Sequence, residues 1–226
     1  MDTPIATENA RYLLIDLEMT GLNPFIHGVI EFGAMVMNDS LESLDEWRVV
    51  LCPPEEVQID PSALEYNGFT LDQISTGMAY EEFCNHFELF LTTHFPNDQK
   101  PIFVGQYIAA DISFLMSIFY RANRNDLVMR LWNDIIDTKS IANQVNMIAR
   151  YKKMNIPFKS TSLSKPGGLG EVLNIGTYKA HTAIGDIKAT RIVLKKLLSL
   201  GAEERLTMDA SDDVNDTTPN VWPTVA

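Results

Sequence analysis

The sequence predicts an α/β fold in which a mixed, five-stranded sheet is flanked by helices. Three apolar segments of strand length come first and are joined by short links, which is typical of an antiparallel meander. Short apolar strands then alternate with longer segments of helical spacing, an order that favours a mixed α/β sheet. The 226 residues are enough for one sizeable hydrophobic core.

The first three strands are predicted from apolar runs that end at acids, glycine or proline. The link after the first run contains Gly, Asn and Pro, so a hairpin or short loop is expected there, and Pro53 and Pro54 end the third run. The predicted strands are Arg11–Glu18, Gly28–Met37 and Glu46–Cys52.

The rest of the folded part is predicted from helical spacing and two short apolar runs. Thr138 is expected to be the N-cap of its helix and Gly201 the C-cap of the last one. The predicted strands are Pro101–Val104 and Asp134–Asp137, and the predicted helical segments are Pro61–Tyr66, Thr70–Ser75, Tyr80–Phe95, Ile108–Ala122, Thr138 to about Tyr151, and about Thr182 to Leu200.

Three regions follow from these elements: an N-terminal extension (1–10), a folded domain (11–202) and an acidic tail (203–226). The tail has no periodic apolar pattern, so it is expected to be flexible. Trp222 within it is a candidate anchor for a protein partner, although a lone terminal Trp is more often incidental. A partner held through the tail and a homodimer are both left open.

Composition excludes several classes of protein. No apolar run approaches the roughly 20 residues of a membrane span, and the first ten residues lack the pattern of a secretory signal. We therefore expect no membrane partner and a cytoplasmic location. The two cysteines, Cys52 and Cys84, cannot form a disulfide framework and have no zinc-site spacing.

The net charge of -12 argues against a nucleic-acid partner until the charge is divided along the chain. Residues 150–196 carry ten Lys and Arg against two acids, whereas residues 1–149 carry 7 against 22. Lys152, Lys153, Lys159 and Lys165 lie in or beside a loop rich in Ser, Pro and Gly. This segment is a candidate phosphate-tracking surface, with a merely solvated face as the alternative.

Five residues are candidates for a functional site. Asp16 and Glu18 end the first strand two residues apart, so both side chains project from one face of the sheet. Asp111 stands among apolar residues near a helix start, and His181 and Asp186 open the last helix. His181 can share a site with Asp186 only if it precedes the regular helix, because five residues on an ideal helix differ by about 140°. Each feature alone also fits a surface acid, a capping Asp or a structural His.

Together, these residues resemble the three motifs of the DEDDh family of 3′→5′ exonucleases. The matching segments are IDLEMTGL and VIEFGA, the Asp111 helix, IIDTKSIA, PSALEYNGFT and HTAIGDIKAT, which together extend over residues ~11 to ~200. DLEMTGL is most similar to oligoribonuclease, whereas LGEVLNIG and NGFT are more similar to the proofreading subunit of bacterial replicative DNA polymerases. The resemblance implies a ribonuclease H-like fold.

The resemblance also implies how the site works. Asp16, Glu18, Asp111 and Asp186 would bind two Mg²⁺ ions, with Mn²⁺ as an alternative, because all-oxygen sites suit these ions. His181 would be the general base for the attacking water. Met19, Thr20, Gly21 and Leu22 would lie beside the 3′-terminal nucleotide, although Met19 and Leu22 also fit ordinary core packing.

The predicted function is therefore a metal-dependent 3′→5′ exonuclease. It would release 5′-mononucleotides from the 3′ ends of single-stranded DNA or RNA, with DNA slightly favoured. The alternatives are an oligoribonuclease that acts on short RNA and a non-catalytic nucleic-acid-binding subunit of a polymerase assembly. A ribonuclease H-type endonuclease is a third reading, which the His181–Asp186 spacing argues against.

Overall fold

The computed structural model describes residues 10–97, 99–131 and 134–205, with side chains described as far as residue 200. The strands are β1 (Tyr12–Met19), β2 (Val29–Met37), β3 (Ser43–Cys52), β4 (Met78–Ala79), β5 (Ile102–Gly105) and β6 (Ile135–Asp137). The helices are α1 (Pro61–Asn67), α2 (Leu71–Ser75), α3 (Tyr80–His94), α4 (Ile108–Arg121), α5 (Val128–Leu131), α6 (Thr138–Tyr151), α7 (Leu169–Val172) and α8 (Ala183–Arg205), with a 3₁₀ turn at Asn125–Leu127.

The sheet is mixed, which confirms the predicted fold class. Its strand order is β4-β3-β2-β1-β5-β6. Strands β1, β2 and β3 form the antiparallel meander, and β5 and β6 add parallel to β1. The sheet has six strands rather than five because β4 pairs with β3 over two residues, which is too short to leave a pattern in the sequence.

Side chains of β1 alternate between two hydrophobic cores. Leu13, Ile15 and Leu17 pack in the larger core with residues of α3 and α4. Leu14 points to the opposite face, where it packs with Ile187 and Leu194 of α8 in a second core. Because side chains alternate along a strand, those of Asp16 and Glu18 point to the same face as Leu14, the face that α8 covers.

Two predicted helix caps are wrong. The N-cap of α6 is Asp137, whose backbone is extended and whose carboxylate accepts from the Lys139 N–H at 3.2 Å, while Thr138 is the first helical residue. Helix α8 continues past Gly201 to Arg205, because neighbouring residues of high helix propensity offset the roughly 1 kcal/mol that an interior glycine costs.

Parts of the predicted domain division lie outside the described residues, namely 1–9 of the extension and 206–226 of the tail, including Trp222. The first three residues of the predicted tail belong to α8. Within the described residues, no helix has both the length and the hydrophobicity that crossing a bilayer requires.

The start of α8 packs against β2 at a glycine. A Cβ atom on Gly33 would lie 2.8 Å from the Cβ of Ala183 and 3.0 Å from its carbonyl carbon. Gly33 is paired with Asp16 across the sheet. The small residue therefore allows α8 to begin directly beside the carboxylates of β1.

We expect Gly33→Ala to push the start of α8 away from the sheet. Overpacking of this kind costs about 1–3 kcal/mol, which thermal denaturation of the variant would measure. Ala183→Gly in the same chain should recover part of the lost stability, because it removes the nearest contact. A Gly33→Ala variant as stable as the wild type would show that the close approach is not a constraint.

Candidate active site

Three carboxylates from two elements come together at the end of β1. Asp16 and Glu18 project from the α8 face of the strand, and Asp186 lies in the first turn of α8. One carboxylate oxygen from each of the three lies within 4.8 Å of the others. Two of the carboxylates thus follow from strand alternation, and the third from the close approach of α8 at Gly33.

His181 lies two residues before the start of α8, outside the regular helix, as its spacing from Asp186 requires. Its φ of 61° turns the chain sharply, and its backbone N–H donates to Asp186 Oδ2 at 2.9 Å. Asp186 N–H in turn donates to the carbonyl of Thr182 at 2.9 Å. These two hydrogen bonds hold the imidazole-bearing residue and the acid in one compact turn.

Asp111 approaches the cluster from the other side of β1. It belongs to the first turn of α4, which begins after Tyr107 in a left-handed conformation with φ of 64°. Its buried carboxylate accepts the Leu17 N–H at 3.1 Å, so it is held between the positions of Asp16 and Glu18 along the strand. Asp111 is not one of the three residues whose carboxylate oxygens lie within 4.8 Å of one another, and it borders that cluster instead.

Burial raises the pKa values of all four carboxyl groups, and repulsion from neighbouring acids adds to the effect. Burial raises the pKa of Glu18 to about 8, with further contributions from Asp186, Glu31 and Asp111. The pKa of Asp16 is raised well above its usual range by burial and then by Asp111 and Asp186. Burial also raises the pKa of Asp111 to about 8, although the hydrogen bond from Leu17 opposes it, and raises that of Asp186.

Glu31 is a fifth acid that the sequence reasoning missed. It lies opposite Glu18 in the β1–β2 pairing and is fully buried. Its Oε2 accepts the Ala183 N–H at 2.7 Å, and its Oε1 forms an ion pair with Arg48. Glu31 therefore ties the start of α8 to the sheet. The available signal was one acid within the apolar run VIEFGAMVM.

Two tyrosines that the sequence reasoning did not select also border the cluster. The Tyr178 hydroxyl is buried and has no hydrogen-bond partner among the described residues, and its pKa is raised to about 12 by burial, Asp186 and Asp16. The ring of Tyr66 lies against the His181 imidazole, with 4.1 Å between ring centroids. Tyr178 lies outside the matching segments and Tyr66 lies within PSALEYNGFT, but neither could be selected from sequence, because each reaches the site only through tertiary folding.

The sequence matches the exonuclease family over residues 13–194, a range that includes every residue of the cluster. The chain belongs to the exonuclease family. This membership confirms the resemblance to an exonuclease family found in the motifs.

Relatives of this exonuclease-family chain include the PolC-type DNA polymerases III. That of Thermotoga petrophila is 26% identical over 194 residues, which are 85% of this chain and 12% of the polymerase. That of Pediococcus pentosaceus is 23% identical over 209 residues, or 92% of this chain and 13% of the polymerase. The chain thus spans about an eighth of the length of these relatives.

Solved structures of exonuclease I have a similar fold. The Escherichia coli enzyme in complex with a dT13 oligonucleotide superposes with a TM-score of 0.67 at 20% identity, over 83% of this chain and 40% of that one. Exonuclease I from Methylocaldum szegediense gives a TM-score of 0.66 at 18% identity, over 85% and 41%. The likeness confirms a ribonuclease H-like arrangement of the mixed sheet.

The donor set of this exonuclease-family site fits a hard divalent cation. The available ligand atoms are the carboxylate oxygens of Asp16, Glu18 and Asp186. One oxygen from each lies within 4.8 Å of the others, which is close enough for a single ion to bind all three. Mg²⁺ and Mn²⁺ prefer such ligands, whereas zinc prefers sites with nitrogen and sulfur donors. A cation would also offset the repulsion that raises the pKa values of these groups. The cluster can therefore hold a metal ion.

The loop after β1 divides into anchored and exposed residues. The Thr20 side chain is fully buried, donates to the Gln58 carbonyl at 2.7 Å and accepts the Gly28 N–H. Met19 packs against the larger core, as expected if its role is ordinary core packing. A Cβ on Gly21 would lie 2.5 Å from the His27 ring. Leu22 is 97% exposed and is the member of the set that faces outward.

The loop at residues 152–165, which contains four lysines, lies beside β5 and α6. Lys152, Lys153, Lys159 and Lys165 are exposed. Gln106 connects this loop to β5, since its Nε2 donates to the Thr161 carbonyl at 2.6 Å. The loop is thus attached to the strand that precedes the Asp111 helix.

We expect Glu18→Gln to stabilise the metal-free protein at pH 8. The pKa of Glu18 is about 8 in the folded state against an ordinary 4.5. The free energy of unfolding therefore falls as pH rises between these values, because the unfolded chain ionises this group more readily than the folded one. A neutral amide removes that loss. The melting temperature in EDTA should rise by about 2–4 °C or more at pH 8, the shift that 1 kcal/mol gives in a domain of this size, and change little at pH 4.5.

The exposed Glu55 provides the matched control, because Glu55→Gln removes a charge in solvent. Its melting temperature should follow the wild type at both pH values. A Glu18→Gln variant that melts lower than the wild type at pH 8 would contradict the picture of a strained carboxylate cluster.

Proposed function

We propose that the chain is a metal-dependent 3′→5′ exonuclease that releases 5′-mononucleotides from single-stranded ends, with DNA slightly favoured over RNA. The observation that carries the proposal is the meeting of Asp16, Glu18 and Asp186 within 4.8 Å, with His181 hydrogen-bonded to Asp186. An all-carboxylate cluster beside an imidazole has the components of metal-assisted phosphodiester hydrolysis.

Hydrolysis of a phosphodiester needs an activated water, compensation for charge on the phosphoryl oxygens and stabilisation of the leaving 3′-oxygen. When bound, two Mg²⁺ or Mn²⁺ ions supply Lewis acidity for these purposes. Asp16, Glu18 and Asp186 would hold the ions, and Asp111 would complete the ligand set from the opposite side of β1. Each acid must be ionised to do so, and the ions themselves favour that state.

His181 takes the role of general base in this proposal. An imidazole can accept a proton near neutral pH, and His181 precedes α8 and is only half-buried. Asp186 fixes its backbone through the hydrogen bond at 2.9 Å. A general base contributes about 10²–10⁴-fold to a reaction rate, so its loss should slow turnover and leave binding largely intact.

The substrate end would lie against the exposed part of the loop after β1. Leu22 can pack on the terminal base, and the exposed lysines of the loop at 152–165 can follow the phosphates. Exonuclease I structures that contain dT13 and dA16 oligonucleotides support DNA as the substrate class, as do the PolC-type polymerase relatives. The oligoribonuclease alternative depends on the similarity of DLEMTGL.

We expect Asp16→Asn and Asp186→Asn to abolish mononucleotide release, because each removes a ligand from the cluster. His181→Ala should lower kcat by about 10²–10⁴-fold with little change in KM. The shortening of 5′-labelled single-stranded oligonucleotides with Mg²⁺ or Mn²⁺, together with chromatographic detection of the released 5′-mononucleotides, measures both effects. EDTA should stop the wild-type reaction.

Asp39→Asn is the matched control, since Asp39 is an exposed acid in the turn after β2, at the opposite end of β1 from Glu18. It should retain wild-type activity. Products with internal cuts would favour an endonuclease. Metal-independent binding without any turnover would favour the non-catalytic nucleic-acid-binding module.

Substrate preference can be measured under one set of metal conditions with RNA dinucleotides, single-stranded DNA and DNA with a mismatched 3′ terminus. The proposal expects the highest kcat/KM on single-stranded DNA. A strong preference for the dinucleotides would instead assign the chain to the oligoribonuclease branch.

A further inference from the structure

We propose that Tyr66 is a positioning residue for His181, an inference that rests on the proposed function. The two rings are in direct contact, with 4.1 Å between centroids and 49° between their planes. The imidazole forms no hydrogen bond to another described side chain or backbone group, since the His181 bond to Asp186 uses the backbone N–H. The ring of Tyr66 therefore provides the contact that restricts the imidazole.

Tyr66 is well placed to restrict another side chain because its own helix is attached to the site. Asp60 caps α1 by accepting the Ser62 N–H at 2.9 Å, and its own N–H donates to the Thr20 carbonyl at 2.8 Å. Asn67 Nδ2 donates to the Met19 carbonyl at 2.9 Å. Helix α1 is thus fixed at both ends relative to the residues that follow Glu18.

The position of Tyr66 is not explained by core packing. Its side chain is 63% exposed, and α1 contains no buried residue. Burial raises the pKa of Tyr66, and the negative charges of Glu18 and Asp186 raise it further. The phenol therefore stays neutral near these acids, and the aromatic ring faces the imidazole rather than the hydrophobic core.

Two residues therefore restrain different parts of His181. Asp186 fixes its backbone, while Tyr66 limits the rotamers that its side chain can adopt. A general base acts only when a ring nitrogen is directed at the attacking water, so a less restricted imidazole would spend less time in the productive orientation. The substrate-binding groups would be unaffected, so the loss should appear in kcat rather than KM.

A double-mutant cycle with the full chain tests this coupling. Tyr66→Ala should lower kcat for single-stranded DNA about 3–10-fold, within the range that an aromatic pair contributes, and leave KM within about 2-fold. Tyr66→Phe keeps the ring and should retain wild-type kcat. In a His181→Ala chain, Tyr66→Ala should have no further effect. Tyr120→Ala, which removes an exposed ring on α4, is the matched control.

A measurement without metal or substrate separates this inference from the proposed function. The ring current of Tyr66 should shift the imidazole proton resonances of His181, and Tyr66→Ala should return them towards the values of a free histidine. The chain has four histidines, and the His181→Ala spectrum identifies the relevant signals. Tyr66→Phe should keep the shift.

Two results would overturn the inference: an unchanged His181 resonance in Tyr66→Ala, or an equal loss of kcat in the wild-type and His181→Ala backgrounds. The second result would mean that Tyr66 acts on substrate independently of His181. If the wild-type chain releases no mononucleotide at all, the proposed function fails, and the resonance alone then decides whether Tyr66 restrains the imidazole.

Discussion

Repulsion among carboxylates is the constraint on which the rest of the site depends. Asp16, Glu18, Asp111 and Asp186 meet at one edge of the sheet with a buried Glu31 beside them, and burial raises the pKa of each of the first four. No fold gains stability from such an arrangement on its own. The surrounding elements therefore hold the acids in a place where their repulsion is unfavourable, and a bound cation would offset that repulsion.

Backbone N–H groups compensate three of these acids and leave two uncompensated. Leu17 donates to Asp111, His181 to Asp186 and Ala183 to Glu31. Asp16 and Glu18 accept no hydrogen bond from another described residue. This asymmetry suits a cation site, because the two acids of β1 keep their oxygens available while the outer three are fixed by the backbone. It also explains why function and stability conflict at these two acids.

Much of the fold could be predicted from sequence because its signals are local. The apolar alternation of β1 places Asp16 and Glu18 on one face, and the spacing of His181 and Asp186 requires the non-helical turn that the structure contains. The missed features are tertiary. Strand β4 has no pattern of its own, Glu31 acts through α8, and the ring of Tyr66 reaches His181 only because α1 is attached to the loop after β1. Local propensity also misled, as at Gly201, where a glycine does not end the helix.

The central claim is that the carboxylates of β1, α4 and α8 exist to bind divalent cations. Crystals of the protein grown with Mn²⁺ and a 5′-mononucleotide would test it most directly, through the anomalous scattering of manganese. The account predicts two manganese peaks about 4 Å apart, liganded by Asp16, Glu18 and Asp186 with Asp111 nearby, and none in Asp16→Asn crystals. Crystals of the wild type that contain the nucleotide but no manganese at these carboxylates would contradict it.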